Sequence, residues 1–252
     1  MGERVEEPEP WYEAAFHDDY RRVYAHRDLE GARPEAAFLL AQGVSGRVLD
    51  LCCGFGRHAL LFAEAGLDVF GLDLSLDLLR AARELPDFDV HLAGRLVRAD
   101  MTRVPFADAS FDAVVNLFSS FGYLGEAGDA RVLSEVARVL RRDGCAVLDL
   151  MNPERVRAAL VLSSTRSGAG FELDERRHLE QGGRRVVKEV ELRVAGRAPR
   201  RWREDVRLYD PAELAPLLGG AGLALDAAWG DFDGRPAGPD APRRILRLVR
   251  SA

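Results

Sequence analysis

The stretch from Gly46 to Ala63, GRVLDLCCGFGRHALLFA, constrains this chain more than any other. Val48, Leu49 and Leu51 form a short apolar run of the kind that makes a buried parallel strand, which should end near Cys52. The turn Cys53-Gly54-Phe55-Gly56 follows. Ala59 to Ala63 are then helix formers with apolar positions at helical spacing, so Arg57 or His58 should open a helix. Gly54 and Gly56 lack a Cβ, so the backbone can turn sharply there. A ligand can then lie directly against it, beside the exposed N–H groups of a helix start.

Gly-x-Gly before a helix also fits a dinucleotide fingerprint or a purely structural tight turn, and later residues narrow the choice. Leu67 to Leu72 reads as a second strand ending at Asp73, 19 residues past Gly54. A doubly wound fold places a carboxylate there, facing the two hydroxyls of a ribose, so a nucleoside-containing ligand is expected. Asp50 argues against a diphosphate: a carboxylate at the tip of the first strand would repel it, whereas an ammonium or sulfonium would be attracted. Arg95 to Ala99 is a plausible third strand ending at Asp100-Met101, an acceptor and a thioether suited to the edge and face of adenine. Phe111 to Phe118 reads as a fourth strand running through Asn116 into the loop Ser119–Gly125.

These motifs, in this order, resemble the class I S-adenosylmethionine-dependent methyltransferases. Val48 to Gly56 matches their first motif, Asp73 the ribose acid, Asp100 with Met101 the adenine-side pair, and Asn116 to Leu124 the fourth-strand motif. The run NLFSSFGYL from Asn116 to Leu124 is similar to a subgroup of bacterial small-molecule methyltransferases, and the resemblance extends to Trp11–Asp28 and Val206–Arg250. It implies a doubly wound, mostly parallel seven-stranded α/β sheet of the Rossmann-like kind, with S-adenosyl-L-methionine as cofactor. Cys53, Gly54, Gly56, Leu74 and Leu117 join Asp50, Asp73, Asp100, Met101 and Asn116 as expected cofactor contacts. An N-terminal helix is expected to close over the methionine end, with Tyr20, Tyr24 and Arg27 as its contacts and Arg27 suited to a carboxylate.

Composition bounds the remaining classes. The 252 residues suffice for one large α/β domain with an inserted cap, and 47% hydrophobic with 30% charged residues marks a globular chain. A net charge of −6 argues against a dedicated nucleic-acid binder. Cys52, Cys53 and Cys145 have no ligand-spaced partners, so neither a metal site nor a disulfide framework is expected. Met1 to Pro10 has no positive segment with an apolar core, and no apolar run approaches a membrane span, so a cytoplasmic protein is expected, with a homodimer left open.

Along the chain, residues 1–42 are expected to form a tail and helical lid, and 43–252 the methyltransferase domain with 163–209 as an antiparallel β cap. The aromatics from Trp11 to Tyr24 recur at helical spacing. Pro34–Gln42 and Leu76–Glu84 read as helices, the second capped by Ser75. Asp129–Leu140 is expected to be a helix stopped by Arg141-Arg142-Asp143-Gly144, and Cys145–Leu150 the fifth strand. Glu154–Leu162 reads as a helix, Ser163–Gly170 as a polar loop, and Phe171–Tyr209 as short strands with many arginines, either solvated faces or a surface for an acidic substrate or partner chain. Asp210-Pro211 should open a helix closed by Gly219-Gly220. Leu223–Trp229 and Ile245–Val249 are the last strands, joined by a polar loop in which Asp231 and Asp233 are candidate substrate contacts.

The expected reaction is in-line transfer of a methyl group to a nitrogen or oxygen of a small molecule, with Tyr24, His58 and Tyr123 as candidate catalytic residues. An NAD-dependent oxidoreductase, favoured by Gly54, Gly56 and Asp73, is the alternative enzyme. A non-catalytic module that binds the same cofactor is the alternative of another class.

Overall fold

The computed structural model describes residues 10–16, 19, 23, 24, 27–168 and 170–251. The first half alternates strand and helix: α1 (Trp11–Ala15), α2 (Leu29–Ala41), β1 (Arg47–Leu51), α3 (Arg57–Glu64), β2 (Asp68–Asp73), α4 (Leu76–Ala81), α5 (Phe88–His91), β3 (Leu96–Arg98) and β4 (Phe111–Asn116). The second half continues with α6 (Gly125–Val139), β5 (Leu140–Met151) and α7 (Pro153–Ala159). Then come β6 (Ser163–Gly168), β7 (Phe171–Glu180), β8 (Arg185–Val194), β9 (Arg200–Arg207), α8 (Pro211–Gly220), β10 (Leu223–Trp229) and β11 (Arg243–Arg250).

Seven strands form one sheet in the order β3-β2-β1-β4-β5-β11-β10. The pairs from β3 through β5 are parallel, and β11 runs antiparallel to both β5 and β10. The chain winds outward from β1 to β3, then returns to β4 and winds the other way. The connections leaving β1 and β4 therefore diverge, and a crevice opens at their carboxyl ends. Strand alternation sends Leu49 and Leu51 into the core under α6 and α8, with Val132, Leu133, Leu214 and Leu218. Val48 points into the opposite core, under α2 and α3, with Leu39, Leu60 and Phe62.

Short-range capping sets several boundaries. Asp28 accepts from Gly31 N (2.8 Å), so α2 begins at Leu29, ahead of the Pro34 start expected from sequence. Ser75 Oγ accepts from Leu78 N (3.2 Å) as expected, and the helix tightens into a 3₁₀ turn over Ala82–Glu84. Asp210 and Pro211 open α8 through a capping box with Glu213. Gly219 and Gly220 lie inside α8, and the chain leaves it through Gly222, whose φ of 74° is left-handed.

Three other expectations change. Arg141-Arg142-Asp143-Gly144 does not end a helix: α6 stops at Val139, and these residues belong to β5. The extra residues are absorbed by a register shift opposite Phe111 and Ala113, and Arg141 pairs with Asp112. Ser163–Gly168 is not a loop but the edge strand β6 of a separate antiparallel sheet, β6-β7-β8-β9. Its side chains are polar and carry no apolar alternation; cross-strand hydrogen bonds, Thr165 to Asp174 (2.7 Å) and Ser164 to Glu175 (3.0 Å), hold it instead. Finally, α1 ends at Ala15 and the chain bends at Phe16, where the aromatic spacing had suggested a continuous helix. Tyr20 lies outside the described residues.

Gly71 links the sheet to the glycine turn. A Cβ there would stand 2.6 Å from Leu96 Cδ2 and 2.8 Å from Cys53 Sγ. Gly71→Ala must therefore push either β3 or the turn outward, an overpacking cost of about 1–3 kcal/mol. Urea unfolding should show a lower midpoint with an unchanged m-value.

Candidate active site

At the crevice, residues from β1, β2 and β3, from the loops after β1 to β4 and from the N-terminal segment surround a cavity of about 370 Å³. Asp50 sits one residue before the end of β1, only 2% exposed, and its Oδ2 has no hydrogen-bond partner among the described residues. Burial pushes this carboxyl up to about 7, with Arg57 opposing and Asp73 adding to the rise. An orphaned, buried carboxylate oxygen bordering a cavity is a place made for a cationic group.

Asp73 ends β2 and is also buried. Its Oδ2 accepts from Gly54 N (2.8 Å) and its Oδ1 from Ser75 N (2.8 Å), so one carboxylate fixes both the glycine turn and the start of α4. Burial raises its pKa against those N–H donors. Each oxygen keeps a second lone pair, enough to accept from the two hydroxyls of a ribose. Asp100 is exposed and lines the cavity; its Oδ1 accepts from Thr102 N (2.7 Å) and Oγ1 (2.9 Å). Met101 and Leu117 supply apolar wall, and Cys52 Sγ lies 3.4 Å from Met101 Sδ.

Of the residues expected from sequence, Arg27, Asp50, Cys53, Gly54, His58, Asp73, Leu74, Asp100, Met101, Leu117 and Tyr123 line this cavity. Gly56 and Asn116 do not. Gly56 caps α3 with φ 82°, and Asn116 is fully buried, donating to Leu51 O (3.0 Å) to tie the tips of β4 and β1 together. Tyr24 faces a second groove, where its hydroxyl donates to Glu204 (3.1 Å) and accepts from Lys188 (2.7 Å). Asp231 and Asp233 line neither; Asp231 accepts from Phe232 N (2.9 Å) and Asp233 binds Arg235. His58 is 4% exposed with Nε2 2.6 Å from Glu35, and burial lowers its pKa against that carboxylate. Among the described residues no group of His, Cys, Asp and Glu could hold a metal ion.

Sequence reasoning missed the machinery around Phe118. Phe118 and Ser119 both adopt left-handed backbone, φ 63° and 58°, a strained arrangement for two successive non-glycine residues. Asp149, fully buried in β5, holds it: Oδ2 accepts from Phe118 N (2.8 Å) and its main-chain oxygen from Ser119 N (2.9 Å). Arg243 pairs with Asp149 and donates to Ser119 Oγ (3.0 Å). The Phe118 ring then meets the guanidiniums of Arg27 (4.0 Å), Arg57 (4.7 Å) and Arg243 (5.4 Å). The one visible hint was a charge, Asp149, inside the apolar run of the fifth strand. Over the cavity, Tyr123 packs against Trp11 (4.6 Å), Phe16 (6.3 Å) and Tyr12 (6.5 Å), and Ser75 Oγ donates to Phe16 O (2.6 Å), fastening the N-terminal segment across the opening.

Comparison with known proteins agrees with this geometry. Residues 48–144 match a sequence family described as a methyltransferase domain. Demethylmenaquinone methyltransferase of Renibacterium salmoninarum is 40% identical over 103 residues, covering 40% of each chain. The chain thus spans about 40% of the length of that relative. Among solved structures, the CcbJ methyltransferase from Streptomyces caelestis superposes with a TM-score of 0.79 at 21% identity, over 95% of this chain and 99% of the other. CalS10, an amino pentose methyltransferase from Micromonospora echinaspora solved with S-adenosylmethionine bound, gives 0.66 at 23% identity, over 92% and 96%. Residues 48–144 therefore match a methyltransferase domain, and the chain has the fold of the methyltransferase structures it superposes on.

Proposed function

We propose that this protein transfers the methyl group of S-adenosylmethionine to a nitrogen or oxygen nucleophile of a small molecule. The observation that carries the reading is the buried, unpartnered Oδ2 of Asp50 beside the cavity. It suits the ammonium and sulfonium end of this cofactor and opposes the diphosphate of a dinucleotide, which would bring negative charge to the same turn. Asp73 would hold the ribose diol, Asp100 the adenine amine, Met101 and Leu117 the ring faces, and Arg27 the terminal carboxylate. The acceptors named for the relatives, a demethylmenaquinone and an amino pentose, support a small-molecule acceptor without specifying it.

The bound cofactor supplies a methyl group already activated by its sulfonium. The protein's own work is then alignment and exclusion of water. Tyr12, Phe16 and Tyr123 cover the cavity, and the Asp149–Arg243 pair fixes Phe118 in its wall. An acceptor amine arriving uncharged needs no base. Where a proton must leave, His58 has Glu35 to orient it, and Tyr123 stands at the cavity itself. The groove next to this cavity weighs against a module that only stores the cofactor.

S-adenosylhomocysteine should raise the melting temperature and NAD should not. Calorimetric titration of Asp73→Ala should show S-adenosylhomocysteine binding weakened by about tenfold or more, since two charge-assisted hydrogen bonds disappear. Unchanged binding would remove the ribose assignment.

Asp50 gives a pH signature. Its folded pKa of about 7 exceeds the ordinary 3.8, so between these values the unfolded chain releases the proton while the folded one keeps it. Stability of the free protein should fall as pH rises through that window, with Asp73 acting in the same direction. Affinity for the cofactor product S-adenosylhomocysteine, which keeps the ammonium group, should rise over the same range as Asp50 becomes charged. Asp50→Asn should flatten both trends, with melting curves and titrations at about pH 5.5 and about pH 8 as the check. A variant whose product affinity still climbs with pH would contradict the assignment.

A further inference from the structure

A second, more open cavity of about 730 Å³ lies between α7 and strands β6, β7 and β8. Arg27, Arg155, Arg166, Arg177 and Lys188 line it, against the single carboxylate of Glu175. Glu175 is 4% exposed and already shared by Arg177 (2.7 Å), Lys188 (3.5 Å) and Arg166 (3.6 Å). Glu204 takes a further share of Lys188 at 2.6 Å; with Arg27 left out, because it is assigned to the cofactor's carboxylate, the four cations Arg155, Arg166, Arg177 and Lys188 face two anions among the described residues. In a chain of net charge −6 this is a local reversal of sign, and gathering like charges in one concave wall costs stability unless an anion neutralises them. Three of these four are guanidiniums, whose planar forks match oxyanions in pairs.

Arg27 lines both cavities, with its guanidinium 4.0 Å from the Phe118 ring and 4.1 Å from the Tyr24 ring. The cationic groove therefore opens beside the place where the cofactor's methionine end is assigned. We propose that the groove binds a phosphate or diphosphate carried by the methyl acceptor, placing the acceptor's uncharged portion toward Arg27 and the methyl group. The inference rests on the methyltransferase reading, and it adds a substrate class to that reading. An excess of two positive charges suits a doubly charged oxyanion better than one carboxylate. No proton or bond changes hands at this subsite; it holds and orients.

The test uses inorganic pyrophosphate as probe and S-adenosylhomocysteine as internal control, both by calorimetry on the full chain. Pyrophosphate should bind without displacing S-adenosylhomocysteine, and more tightly than malonate. Arg155 is exposed and Arg166 is half exposed, so Arg155→Glu with Arg166→Ala should leave the fold intact. The double variant should weaken pyrophosphate by about tenfold or more while S-adenosylhomocysteine stays within about twofold. Absent pyrophosphate binding, competition with S-adenosylhomocysteine, malonate binding as tight as pyrophosphate, or an unaffected double variant would each overturn the proposal. If instead pyrophosphate behaves as expected while S-adenosylhomocysteine fails to bind the wild type, the groove stands as an oxyanion site and the methyltransferase reading falls.

Discussion

Burying a carboxylate without enough donors is among the costlier things a fold can do, and here the cost falls at the one point where the sheet reverses its winding. Asp50 is placed there by strand alternation: Leu49 and Leu51 must face the α6 side, so the residue between them faces α2 and α3, at the open end of β1. Ala59 N and Arg57 ease its charge, but Oδ2 keeps no partner among the described residues. A ligand bearing positive charge would give that oxygen its partner, and binding and stability would thereby be coupled through one residue.

The same logic of strain held by surroundings governs the opposite wall. The chain leaving β4 turns through two left-handed residues, Phe118 and Ser119. Such a turn persists because Asp149 and Arg243, reached from two other strands, bond its N–H groups and its hydroxyl. The reward is an aromatic ring fixed in the cavity wall among three guanidiniums. Asp73 plays the matching part on the other side, joining the glycine turn to α4 through one carboxylate.

Charge is distributed with equal economy. The cavity at the strand ends is lined by carboxylates from three of them, whereas the adjoining groove under the antiparallel sheet is lined by cations. Arg27, bordering both, separates a site suited to a positive ligand from one suited to a negative one. The N-terminal segment spans them, its aromatics packed with Tyr123 on one side and Tyr24 joined to Lys188 and Glu204 on the other.

The parallel core, the glycine turn and the acids Asp50, Asp73 and Asp100 at the strand ends were legible in the sequence because each is a local signal: an apolar run, a pair of glycines, an acid at a strand's end. The antiparallel sheet was only partly legible. Its edge strand Ser163–Gly168 is held by cross-strand hydrogen bonds between polar side chains, which leave no apolar period to read. The sequence by itself determined that those acids share one edge of the sheet, since strand alternation and spacing suffice to put them there. Only the tertiary structure decided that Asn116 braces the strands, that Asp149 and Arg243 hold Phe118, and that cations from α7, β6, β7 and β8 converge on one groove. Those are contacts between segments far apart in the chain, fixed by packing, and no local pattern encodes them.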